Sequence, residues 1–231
     1  MRRVAALALV LLCGCSQTRT EHLDTLFETT RGELRAGELA KAQLAAEHGL
    51  SVADSRHDLL FHWKFRLLRA EILLNSRRAE EVVAQLDEPV PAASQFAPLT
   101  ARKLMLEGQA ASILGHADRS AALLVEAHRA AEAANAGEVL LDIENIQGAR
   151  ALRSKRYDDA ERFLRSALER ARALQAPYQE ASVLVNLGMI RFNRHRHDEA
   201  AGFFEEAFLE SKAQYEAVAQ PSVGSVTNAA H

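Results

Sequence analysis

The sequence predicts an all-α fold built from repeated antiparallel helix pairs, and three observations carry this prediction. Ala, Leu, Arg and Glu dominate the 231 residues, and these residue types favour helices. The chain holds only 11 Gly and 5 Pro, too few for a β-sandwich with many tight turns. Small and large apolar residues also recur with a period of 40 residues between Gly108 and Ala207.

The N-terminus has the layout of a secretory signal. Met1–Arg3 is basic, and Val4–Leu12 is an unbroken apolar run of nine residues. Because a permanent membrane helix needs about 20 residues, this run predicts the apolar core of an export signal. The sequence then continues as Leu12-Cys13-Gly14-Cys15, and a polar stretch follows.

That four-residue segment resembles the lipobox of bacterial lipoproteins, in which a Cys follows a small residue and a Leu stands three positions earlier. The resemblance implies a signal peptide over 1–14, a lipid on Cys15, a tether over 15–21 and attachment to the membrane through that lipid. Ser16 after the Cys favours the outer membrane, facing the periplasm, in a Gram-negative cell. The alternative is a secretory signal that is cleaved without lipidation.

The repeat is clearest around three glycines. Gly108, Gly148 and Gly188 stand 40 residues apart. A small residue follows each of them after 12 positions, a large apolar residue after 16 and an Ala after 19. These residues are Ser120, Leu124 and Ala127, then Ala160, Leu164 and Ala167, then Ala200, Phe204 and Ala207. Extended backwards, the spacing predicts a second repeat from Ala70, Val82 and Leu86, and a first repeat from Glu28, Ala40 and Leu44.

Each repeat is predicted to contain two helices joined by a turn. In the third repeat, apolar spacing over 104–111 indicates a first helix, Gly115–Asp118 indicates a turn, and Ser120–Ala131 indicates an amphipathic second helix. Asn193–His197 fills the same turn in the fifth repeat. Because Pro inside a helix removes a hydrogen bond and clashes, the prolines should fall between repeats. They stand at positions 89, 91, 98, 177 and 221.

This order of residues resembles the signature of tetratricopeptide repeats, most closely at Asn186-Leu187-Gly188, Ala200, Phe204 and Ala207. The resemblance implies a right-handed superhelical solenoid over 22–231, with about five repeats and a partial sixth opening at Val223–His231. The period of 40 exceeds the standard repeat of about 34 residues. HEAT-like repeats share the longer period but do not explain the Gly, Ala, Phe and Ala spacing.

The sequence contains no pattern that predicts catalysis. His195 and His197 lack the further Cys or His of a metal site. Asp158-Asp159 and Asp198-Glu199 begin second helices, where acidic residues favour the helix dipole. Trp63 is interpreted as a core residue, and the net charge of −3 argues against nucleic acid as a partner. The prediction is a protein that is not an enzyme, with no cofactor, no metal and no evident small-molecule substrate.

The tetratricopeptide resemblance also implies a concave groove, lined by the first helices, that binds a protein or peptide. Its positions carry a mixture of apolar side chains with Arg, Asn and Gln. The predicted partner-binding residues are Arg102, Met105, Gln109, Asn145, Arg153, Val185, Met189 and Phe192. The alternative for the apolar members is packing against the neighbouring repeat.

These observations favour a lipid-anchored scaffold that binds proteins at the bacterial cell envelope. The longer repeats also resemble the arrays that precede caspase-like CHAT domains. An alternative is therefore the N-terminal sensing part of a larger protein, such as a CHAT-type protease. A third hypothesis is a purely structural protomer of a larger assembly.

Overall fold

The computed structural model describes residues 22–219, with side chains as far as residue 212. Over this part the chain forms ten α-helices, one short 3-10 helix and no strand, which confirms the all-α prediction. The predicted signal peptide over 1–14, the tether over 15–21 with Cys15, and the opening of a sixth repeat at Val223–His231 lie outside the described residues.

The helices follow one another at regular intervals. Their bounds are α1, residues 22–35; α2, Leu39–Ser55; α3, Leu59–Asn75; α4, Ala79–Gln85; α5, Ala97–Ile113; α6, Ala117–Ala133; α7, Gly137–Arg153; α8, Tyr157–Ala173; α9, Pro177–Asn193; and α10, His197–Ala219. The 3-10 helix Ser94–Phe96 precedes α5. Pro98 and Pro177 fall in the first turns of α5 and α9, where Pro is tolerated.

The 40-residue period has a simple structural cause. Each helix from α2 to α9 except α4 is 17 residues long and is followed by a connection of three residues. A pair of such helices with its two connections therefore spans 40 residues. After α8, Gln175 has a φ of 51°, its amide donates to the Arg172 carbonyl, and the Ala176 amide donates to the Ala171 carbonyl. This Schellman geometry satisfies the last helical carbonyls and turns the chain back. The other left-handed residues are Gly37, His57, Arg77, Gly115, Asn135, Lys155 and His195.

The chain divides after Ala134 into two compact units. Unit 1 contains α1–α6, in which α2 packs on α3, and α5 packs on α3, α4 and α6. Unit 2 contains α7–α10, in which α7 and α9 each pack on α8, α9 packs on α10, and α7 also touches α9. Adjacent helix pairs are therefore the structural element in both units.

Glycines and large apolar residues meet where the two helices of a pair cross. A Cβ added to Gly148 would lie 2.5 Å from Leu164 Cγ, and one added to Gly188 would lie 2.5 Å from Phe204 Cε1. Neither position therefore has room for a methyl group. The predicted 16-residue spacing between Gly and the large residue is confirmed, since it joins groups that touch across the crossing.

The predicted register of the first repeat is wrong by two residues. Ala40 is exposed and Leu44 is 69% exposed, whereas Thr30, Ala42 and Ala46 are buried. The Thr30 hydroxyl donates to the Leu26 carbonyl at 2.8 Å, so a polar residue occupies the helix crossing without an unsatisfied donor.

The second repeat keeps its predicted register, since Ala70, Val82 and Leu86 are fully buried. Its second helix, however, is only seven residues long. The Arg66 guanidinium donates to the Gln85 carbonyl at 2.8 Å, at the end of α4. Pro89 and Pro91 follow in a non-helical segment, because Pro does not continue a helix.

Candidate partner-binding surface

A row of exposed apolar side chains runs along α9. Tyr178 is 42% exposed, Val185 44%, Met189 38% and Phe192 50%. With Ser182 they are spaced by four, three, four and three residues, so they lie on one face of the helix. At about 1.5 Å per residue the row is about 21 Å long. We call Tyr178, Val185, Met189 and Phe192 the α9 stripe.

The N-terminal half of the stripe has a polar border on α7. Asn145 Nδ2 donates to Ser182 Oγ at 3.3 Å, and Asn145 Oδ1 accepts from Asn186 Nδ2 at 2.9 Å. These bonds link the first helices of adjacent repeats. The structure thus places the predicted residue Asn145 beside the α9 stripe, while Arg153 is exposed at the end of α7.

The remaining predicted groove residues lie on α5 in unit 1 and have different surroundings. The Arg102 guanidinium forms an ion pair with Glu71 at 3.2 Å. Met105 is only 2% exposed, and Gln109 is half-buried. A buried Met105 offers a partner little apolar surface, so the exposed apolar part of the predicted set is confined to α9.

The lack of a covering helix among the described residues, and not the position within the repeat, explains why the α9 stripe is exposed. Leu67 and Leu74 on α3 stand at the positions of Val185 and Phe192, and they are 1% and 8% exposed. Leu152, the equivalent of Phe192 on α7, is partly buried against the core of unit 2. No helix of the described chain follows α10, and the same face of α9 is left open.

Sequence reasoning missed one exposed residue of this kind. Phe208 on α10 is 65% exposed, whereas Leu168, one repeat earlier on α8, packs against Ala181, Leu184 and Ala207. The 40-residue spacing could have identified Phe208. It places Phe208 at the position of Leu168, whose side chain packs against the following repeat.

An ion-pair cluster fixes α9 between α8 and α10. Arg191 is 7% exposed and donates to both carboxylate oxygens of Glu161, at 2.7 and 2.9 Å. Hydrogen bonding from Arg191 lowers the pKa of Glu161 from 4.5 to about 2 against the opposing effect of burial, and the same contact raises the pKa of Arg191. Arg191 Nε also lies 3.2 Å from Glu199 on α10. The orientation of the α9 stripe is therefore set by groups beneath it.

A second buried ion pair joins α7 to α8. Glu144 is 5% exposed, and it accepts hydrogen bonds from Arg170 at 2.9 and 3.1 Å and from the Ser166 hydroxyl at 3.0 Å. All of the charge on Glu144 is compensated within unit 2, which is typical of a structural pair.

The residues considered for catalysis occupy positions that are explained by helix ends, ion pairs and core packing. Asp158-Asp159 and Asp198-Glu199 lie in the first turns of α8 and α10, and Asp158 pairs with Arg194. The rings of His195 and His197 lie 6.1 Å apart, and residues 22–212 contain no cluster of three His, Cys, Asp or Glu able to hold a metal. Trp63 is 3% exposed, as predicted for a core residue.

The described part of the chain lacks a candidate membrane-spanning helix. None of its helices combines the length and the apolar character needed to cross a bilayer.

Comparison with known proteins supports the tetratricopeptide resemblance. Residues 139–208 match the tetratricopeptide repeat family model. The crystal structure of BtubC (BKLC) from P. vanneervenii is similar at 14% identity and a TM-score of 0.48, covering 84% of this chain and 97% of that one. The search of curated proteins found no match. Tetratricopeptide repeat proteins are generally non-catalytic scaffolds that bind other proteins. The match and the helix pairs together support tetratricopeptide repeats over residues 139–208.

Proposed function

We propose that this chain is a lipid-anchored, non-catalytic scaffold that binds a protein or peptide partner at the bacterial cell envelope. The observation that carries the binding role is the α9 stripe, which leaves four large side chains exposed on one face of a helix held by ion pairs. Exposed apolar surface that is rimmed by polar groups is typical of an interaction site. The Asn145 and Ser182 side chains form part of such a rim.

Charged substitutions in the stripe test this role. Val185→Asp combined with Met189→Asp places two carboxylates on a surface that a partner would have to desolvate, so capture of the partner should fall at least tenfold. Leu44→Asp is the matched control, because Leu44 is 69% exposed on α2 in the other unit. Quantitative mass spectrometry after cross-linking in cells should show proteins retained by the parent and the control but lost from the double variant. Equal recovery from all three would contradict the proposal.

The anchor rests on the N-terminal sequence. Leu12-Cys13-Gly14-Cys15 follows a basic start and an apolar run, and several acyl chains on Cys15 would hold the protein firmly, at about 0.8 kcal/mol for each buried methylene. Cys15→Ser should abolish incorporation of labelled palmitate and release the protein from membranes. Cys13→Ser is the control and should leave both unchanged. Continued tight membrane association of Cys15→Ser would reject lipidation.

A second candidate is the N-terminal sensing part of a larger protein, such as a CHAT-type protease. The exposed positions of Phe192 and Phe208 favour it, since a further repeat would cover both. The genomic reading frame beyond His231 distinguishes the two candidates. A downstream domain with a catalytic His and Cys supports the second, and a stop codon removes it.

A further inference from the structure

We draw no further inference here: the strongest candidate, the exposed apolar face that Phe192 on α9 and Phe208 on α10 form beside the α9 stripe, carries none because nothing in the described part of the chain shows what covers it.

Discussion

Replacing Gly148 by Ala tests whether the close approach of α7 and α8 determines the packing of unit 2. The added Cβ would lie 2.5 Å from Leu164 Cγ and 2.7 Å from Leu164 Cδ2. Carbon atoms in contact prefer about 3.5–4.0 Å, so the Leu164 side chain must move. Such overpacking costs about 1–3 kcal/mol, whereas Ala is favoured over Gly inside a helix by about 1 kcal/mol. We expect the free energy of unfolding to fall by a net amount of about 1 kcal/mol.

The chain offers two matched controls for this substitution. A Cβ at Gly202 on α10 would meet no heavy atom within 4 Å, so Gly202→Ala should raise the free energy of unfolding by about 0.5–1 kcal/mol. At Gly108 the added Cβ would lie 3.1 Å from Leu124 Cγ, and the effect should fall between the other two. Urea unfolding followed by circular dichroism at 222 nm measures all three variants.

A double-mutant cycle isolates the contact. Leu164 is fully buried, and Leu164→Ala alone should cost about 2–5 kcal/mol because it leaves a cavity. In that background the Cβ of Gly148→Ala has room, and the second substitution should become stabilising. The reasoning is refuted if Gly148→Ala costs the same in both backgrounds, or if Gly202→Ala is equally harmful.

Three further substitutions address other parts of unit 2. Ala167→Leu should lower the free energy of unfolding by about 1–3 kcal/mol, because Ala167 is fully buried; an unchanged thermal melt would contradict the repeat register. Lys155→Gly should raise it by about 0.5–1 kcal/mol by relieving a φ of 57°, and Lys155→Ala, which keeps the strain, should not. Glu161→Gln should cost about 2 kcal/mol at neutral pH through the loss of hydrogen bonds to a buried Arg191. Because the pKa of Glu161 is lowered from 4.5 to about 2, the carboxylate stabilises fully above its unfolded pKa and loses this effect as the pH falls towards 2. The gap between Glu161→Gln and the parent in urea titrations should therefore narrow over that interval, and a constant gap would contradict the assignment.

The helix pairs could be predicted from sequence because their contacts require particular residue sizes at fixed spacing. Gly148 and Leu164 stand 16 residues apart, and the Gly and the large apolar residue of the third and fifth repeats have the same spacing. The constant helix length of 17 residues and the three-residue turn keep this distance fixed. The first repeat was harder to place because Thr30 stands where Gly or Ala is expected. The Thr30 hydroxyl donates a hydrogen bond to the Leu26 carbonyl, and no pattern in the neighbouring sequence predicts that bond.

The candidate partner-binding surface could be predicted only in part. Met105 and Val185 stand at the same position in their repeats, yet one is 2% exposed and the other 44%. Exposure at this position depends on whether another helix covers it, which is a property of neighbours distant in sequence. Spacing could therefore identify Val185, Met189 and Phe192 as candidates, but it could not separate them from Met105.

The exposed face of α1 is polar, whereas the exposed face of α9–α10 is apolar. On α1, Thr29 and Gly32 stand where α9 has the buried residues Leu187 and Ile190, and Thr25 and Thr29 line a surface depression with His22 and His48. A polar face of this kind can remain in contact with water. The α9–α10 face carries the exposed side chains of Phe192 and Phe208 instead. Since exposed large apolar side chains are stabilised by burial, the difference between the two faces favours α9–α10, and not α1, as the candidate surface for a partner.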